Sequence, residues 1–203
     1  MFTKHSKAAI SNMISAVENV FDDTDFDPSH VLIIQDEWWG IEANSGGVKW
    51  CRLYPLFFDE DCSYRIYRPS LDVAVSAEVI RCALLYYGSP YDYTGLVAGF
   101  PLQILTGLSR FIKPLRKVPV PFHFPGSFVC SAFVSQVLKD TGCFPYVSLL
   151  NEWHTTRITP AMLLREFPWR LVYEYIASAP DVIEHPNGGN GTDTATVERP
   201  DFK

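Results

Sequence analysis

The hydrophobic positions of this 203-residue chain follow two periods, and the switches between them mark its elements. In residues 7–20, Ala9, Ile10, Met13, Ile14, Val17 and Val20 recur at helical spacing and predict an amphipathic helix. An acidic turn-forming stretch, residues 22–28, follows it. Residues 29–35 (SHVLIIQ) are a β-branched apolar run and predict a strand. A turn near Asp36, a strand through Ile41 and Ala43, a turn at Ser45-Gly46-Gly47 and a strand over residues 48–53 continue the meander. Residues 64–67 (YRIY) predict a fourth strand with the pattern of a half-buried edge. Helical spacing returns over residues 73–87, with Gly88 as the C-terminal cap. Residues 94–126 are apolar, Pro-rich and irregular, and read as an insertion. A further helix is predicted over 128–139, closed by Thr141-Gly142. Thr159 and Pro160 open another, as N-cap and first-turn residue. The alternation of residues 169–175 (WRLVYEY) predicts a last strand. The order describes a single α+β domain over residues 1–178. From 179 to 203 the chain is polar, rich in Gly and Pro and poor in large apolar residues, which predicts a disordered tail.

Composition narrows the function classes. Hydrophobic residues make up 47% and charged residues 20%, the balance of an ordinary globular protein. A net charge of −6 argues against nucleic acid as a partner, because phosphate binding needs a basic face. The five cysteines are an odd number without CxxC spacing, so neither a zinc site nor a disulfide framework is expected. A reducing, cytosol-like compartment fits them, and no metal or cofactor is called for. The first twenty residues lack a continuous apolar stretch and carry Glu18, unlike a secretory signal. Residues 93–109 are uncharged for 17 positions but contain Pro101 and three glycines. A spanning helix needs about 20 apolar residues, so this stretch reads as a buried helix or a lip beside a site. Arg110, Lys113, Arg116 and Lys117 follow it, and apolar plus basic character over 94–117 suits contact with an anionic membrane surface.

One constellation carries chemistry. Gly126 and Ser127 precede the predicted 128–139 helix, which places Cys130 in its first turn. Unpaired N–H groups and the helix dipole favour a thiolate there, and the same donors suit an oxyanion. A thiolate needs a positioned base. Of His5, His30, His123, His154 and His185, only His30 opens a strand with buried character; the others lie near a terminus, in a loop or in the tail. Glu42 is a carboxylate inside an apolar strand, where charge requires a partner. An odd-numbered loop between the two strands puts Glu42 and His30 on one face, and an even one separates them. Each residue also has a plainer reading: Cys130 as core, His30 as a capping residue and Glu42 as the solvent face of an edge strand.

Five segments together resemble the permuted NlpC/P60 papain-like proteins of the YiiX/YebB-like kind, often called permuted papain-like amidases. PSHVLII at 28–34 is similar to the family's Ser-His-Val strand, and WGIEANSGGVKW at 39–50 to its Glu-Ala and Gly-Val segment. YYGSPYDY at 86–93 resembles its Gly-x-Pro-Tyr-Asp turn. FVCSAFVSQVLKDTG at 128–142 resembles its Cys-Ser helix, and RITPAMLL at 157–164 its closing Thr-Pro segment. The resemblance implies a circularly permuted papain-like fold, an antiparallel sheet packed against the helix that carries the nucleophile. It implies Cys130 as nucleophile, His30 as base and Glu42 as the group that orients the imidazole. Tyr91 and Asp92 match a turn near the site, with a structural role expected first.

The expected function is therefore a cysteine hydrolase that cleaves an amide bond, with a peptidoglycan-type peptide as one candidate substrate. A lipid-directed thiol hydrolase or acyltransferase is a second reading, although Val129-Cys130-Ser131 does not match that group's Asn-Cys-Glu-His motif. A non-enzymatic binding or structural module on the same fold is a third. The expected partner is a small peptide, amide or lipid-like substrate.

Overall fold

The computed structural model describes residues 1–5, 26, 28–69, 73–94, 113–120 and 123–177. The helix expected at 7–20, most of the apolar stretch 94–112 and the tail from 179 lie outside these residues.

The fold is α+β, with two antiparallel sheets and a central helix. The first sheet has the order β2-β1-β6-β7, with β1 at Phe2–His5, β2 at His30–Val31, β6 at Cys62–Pro69 and β7 at Trp169–Tyr175. The second has the order β3-β4-β5, with β3 at Ile33–Ile34, β4 at Trp39–Asn44 and β5 at Gly47–Arg52. The single strand expected over 29–35 is thus two short ones that serve different sheets. Its first half pairs with β1, Thr3 opposite His30. Leu32 closes that pairing: its N–H donates to the Met1 carbonyl and its carbonyl accepts from the Met1 amino group, both at 2.9 Å. The chain then leaves β1 and pairs with β4, Ile33 opposite Ile41. The strand expected at 64–67 is longer than expected and lies between β1 and β7, so it is an interior strand and not an edge. β1 carries no strong alternation of its own and is a strand because β2 and β6 flank it.

Helices pack around this frame. A single turn, α1, spans Tyr54–Phe57; α2 spans Val73–Leu85 and α3 spans Lys113–Arg116. The central helix α4 covers Cys130–Asp140, followed by α5 at Ser148–Glu152, a 3₁₀ turn at Thr155–Arg157 and α6 at Pro160–Glu166. In α4, Cys130, Ser131, Ala132, Phe133, Val134, Ser135, Val137 and Leu138 are all buried. A helix buried on nearly every side must be enclosed by its neighbours. Here β2 and β4, α2, α5, the 3₁₀ turn and α6 do so. Ser135, in the middle of this apolar wrapping, keeps its hydroxyl satisfied by donating to the Ser131 carbonyl at 2.7 Å. Thr159 caps α6 as expected, its hydroxyl accepting from the Met162 N–H. α4 begins at Cys130, two residues later than expected, because Phe128 is extended and bridges Tyr91 in parallel.

The β4–β5 turn is fastened to the loop after α2. The Val48 N–H donates to the Ser89 carbonyl and the Gly88 N–H to the Val48 carbonyl, each at 2.8 Å. Gly47 has φ +89°, and a Cβ added there would lie 2.5 Å from the Ser89 oxygen. Both the backbone region and the close approach require glycine. Gly47→Ala is expected to destabilise the domain by about 1–3 kcal/mol, read as a lower urea midpoint with an unchanged m-value. An unchanged midpoint would show that the 88–90 loop moves aside freely.

Candidate active site

Strand, turn and helix geometry bring the three candidate residues together. Cys130 is the first residue of α4, with Val129 as an extended N-cap that offers no side-chain acceptor. The sulfur therefore sits among the unpaired N–H groups of the first turn. The Ser131 and Val31 N–H groups both point at it. Its residue is 6% exposed. β2 runs beside the start of α4, and His30 is within hydrogen-bonding reach of the thiol. On its other side the His30 Nε2 meets the Glu42 Oε2 at 2.9 Å. With Nε2 committed to the carboxylate, Nδ1 is the nitrogen left for the sulfur.

The break in the chain at Leu32 explains this. His30, before it, pairs with Thr3 of the first sheet, while Ile33 and Ile34, after it, pair with Ile41 and Gly40 of the second. His30 and Glu42 therefore come from different sheets, and their side chains meet where the two sheets adjoin. The carboxylate's other oxygen, Oε1, accepts from the Asn44 side-chain amide. Lys49 is directly opposite Glu42 on β5 and adds a positive charge.

The electrostatics follow from burial and pairing. Burial alone would push the His30 imidazole down; the Cys130 sulfur and the Glu42 carboxylate outweigh it and raise its pKa to about 10. Burial would push the Cys130 thiol up, but the charge and hydrogen bond of His30, then the Val31 and Ser131 N–H groups, bring it below its ordinary 9.0. Glu42 is likewise held below its ordinary value: burial opposes ionisation, and His30, Lys49 and Asn44 overcome it. A helix N-terminus contributes about 0.3–1 kcal/mol to a nearby anion. Desolvating an ion costs several kcal/mol, so His30, not the helix dipole, is the main counterweight to burial at the sulfur.

The other cysteines are different. Burial pushes Cys51 and Cys62 up to about 12 and raises Cys82 as well. None of the five forms a disulfide. Among the described residues no group of three His, Cys, Asp or Glu side chains could hold a metal ion, and no helix is long and apolar enough to cross a membrane.

Two arrangements escaped the sequence reading. Asn44 has no motif beyond a turn signal, and its bond to Glu42 depends on side-chain direction within β4. His123, set aside as a loop residue, hydrogen-bonds through Nδ1 to Asp92, whose carboxylate is 4% exposed. The adjacent Tyr91 is half-buried near Cys130, and burial first, then the sulfur, raises its phenol pKa. The Asp92 N–H donates to the Phe128 carbonyl at 3.1 Å and the Phe128 N–H to the Pro90 carbonyl at 3.0 Å. The 90–92 turn thus braces the entry to α4, the structural role expected of it. Of the basic cluster, Arg116 pairs with Glu152 at 2.9 Å and lies over the Trp153 ring at 5.1 Å. An apolar cleft of about 580 Å³ is lined by Ile33, Leu53, Ile66, Val79, Val134 and Trp169 among others; Cys130, His30 and Glu42 are not part of its wall.

No family model matches the chain, and no match was found among curated proteins or solved structures.

One thiol should therefore react before the rest. At pH 7, substoichiometric iodoacetamide is expected to label Cys130 ahead of Cys51, Cys62 and Cys82, as read by peptide mass spectrometry. In Glu42→Gln the preference should weaken, because the imidazolium loses its carboxylate. Labelling spread evenly over the cysteines, or a silent Cys130, would contradict the ion pair.

Proposed function

We propose that the chain is a cysteine hydrolase that cleaves an amide bond, and that it belongs with the permuted NlpC/P60 papain-like amidases. The observation that carries this reading is the convergence of Cys130, His30 and Glu42 at the start of a buried helix. A thiol, an imidazole and a carboxylate in series are the parts that thiol acyl-transfer chemistry requires. The antiparallel sheets, the central cysteine-bearing helix and the His-before-Cys order agree with a permuted papain-like architecture.

The roles follow from the atoms. The Cys130 thiolate attacks the amide carbonyl carbon, forming a C–S bond and a tetrahedral oxyanion. First-turn N–H groups of α4, including that of Cys130, donate hydrogen bonds to the oxyanion. The intermediate collapses as the C–N bond breaks, and the His30 imidazolium gives its proton to the leaving amine. Neutral His30 then takes a proton from water as its oxygen attacks the thioester. Breaking the C–S bond releases the acid and restores the thiolate and the imidazolium. Glu42 holds the Nε2–H tautomer and stabilises the charged ring throughout.

The substrate class is a small peptide or other amide, with a peptidoglycan-type stem peptide as the first to try. The acidic chain, net charge −6, fits a neutral or cationic substrate better than a polyanion.

The test is turnover of amide substrates with its pH profile. Activity should be bell-shaped. The thiolate is lost as pH falls through the Cys130 value, below 9.0, and the proton donor is lost as pH rises through about 10. Cys130→Ala should stay folded and lose on the order of 10³-fold or more in kcat. A Cys130→Ala variant with full activity would sink the reading.

A further inference from the structure

We propose that Asn44 is a positioning residue of this site: its side-chain amide locks the Glu42 carboxylate onto His30 and so holds the imidazole over Cys130. The inference rests on the thiol-hydrolase reading above and extends it to a residue with no role in the bare Cys-His-Glu series.

Three observations carry it. First, the bonds divide cleanly between the two carboxylate oxygens. Oε2 of Glu42 meets His30 and Oε1 accepts from Asn44 Nδ2, so the carboxylate is gripped at both ends. A carboxylate held by one oxygen alone can rotate about its terminal torsion, which is broad. With both oxygens engaged, its plane is fixed and the imidazole plane follows.

Second, the orientation of the Asn44 amide is dictated by the turn. Its Oδ1 accepts from the Gly46 N–H at 2.9 Å, an Asx turn that closes the β4–β5 hairpin. A flipped amide would face N–H against N–H at Gly46 and oxygen against oxygen at Glu42. The turn therefore sets which end of the amide Glu42 receives.

Third, the turn is anchored to the nucleophile's own support. The Tyr93 hydroxyl donates to the Ser45 carbonyl at 2.9 Å, and the 88–90 segment is bonded to Val48. The same loop, through Pro90 and Asp92, is paired with Phe128 just ahead of Cys130. Asn44 is thus the point where a frame tied to the cysteine helix grips the carboxylate of the histidine. Lys49, opposite Glu42, supplies positive charge to the same carboxylate.

Two substitutions separate this role from a merely structural one. Asn44→Asp keeps an acceptor for the Gly46 N–H and so preserves the turn, but it replaces the donor to Glu42 with a second carboxylate oxygen. Asn44→Ala removes both bonds. The readout is the rate of Cys130 alkylation by iodoacetamide between pH 4 and 10, which needs no substrate. Both variants are expected to move the acid limb of that profile to higher pH. A move of one pH unit is about a tenfold slower alkylation on the limb. On any amide that is turned over, the loss should fall on kcat and leave KM near its original value. If Asn44 serves only the turn, Asn44→Asp keeps the original profile while Asn44→Ala loses thermal stability, and the proposal is overturned. An unchanged profile in both variants overturns it too. Should Asn44→Asp not fold, Asn44→Ser leaves a hydroxyl to accept from the Gly46 N–H but removes the amide donor to Glu42 without adding charge, and the same shift is required of it. A reactive Cys130 thiolate without turnover of any amide would count against the hydrolase reading alone.

Discussion

A buried sulfur can be an anion only if a cation is held against it, and in this molecule that cation is His30. The Cys130 thiol lies in the core beneath β2, where desolvation opposes charge. His30 is desolvated too and would by itself be neutral. Each favours the charged form of the other, the sulfur raising the imidazole's pKa and the imidazole lowering the thiol's, and Glu42 adds a second acidic neighbour to the ring. Such a series is sensitive to geometry. A buried ion pair offsets its desolvation only when further hydrogen bonds satisfy its remaining donors and acceptors. The Val31 and Ser131 N–H groups do this for the sulfur, and Asn44 for the carboxylate.

Much of the fold can be understood as what this series requires. His30 must approach the start of α4 while Glu42 approaches His30 from a different sheet. The bend at Leu32 permits both, because the residues before it pair with β1 and those after it with β4. The helix must also be fixed against the strands to within a fraction of an ångström. Its nearly complete burial, with Phe133 fully enclosed, supplies that rigidity, since interiors are packed too densely to let one element slide. The loops contribute at the open end. The 88–92 segment is bonded on one side to the β4–β5 turn and on the other to Phe128, and so ties the hairpin that carries Glu42 to the helix that carries Cys130.

The elements with a strong period were legible in the sequence. The β4–β5 hairpin, α2, α6 and β7 lie where the alternation, helical spacing and caps put them. What the period could not show was pairing. Residues 29–35 look like one strand because apolarity does not record which sheet each half joins. Residues 64–67 look like an edge because their alternation leaves some side chains half-exposed, yet β1 and β7 flank them. The candidate site was legible to the extent that each residue had a local reason to be unusual: a cysteine opening a helix, a histidine opening a strand, a carboxylate among apolar neighbours. Whether His30 and Glu42 met could not be read from the parity of one loop, because the chain changes sheets at Leu32 and the two residues belong to different sheets. Asn44 and the Asp92–His123 pair had no local signal, because each owes its partner to the tertiary arrangement.

The central claim is that Cys130 and His30 form an ion pair in the folded protein. The direct measurement is the pH titration of thiolate absorbance near 240 nm, taken as the difference between the protein and its Cys130→Ser variant. The ion pair predicts that this difference is already present at neutral pH and disappears only on acidification. A thiolate signal that develops only around pH 9 or above would contradict it.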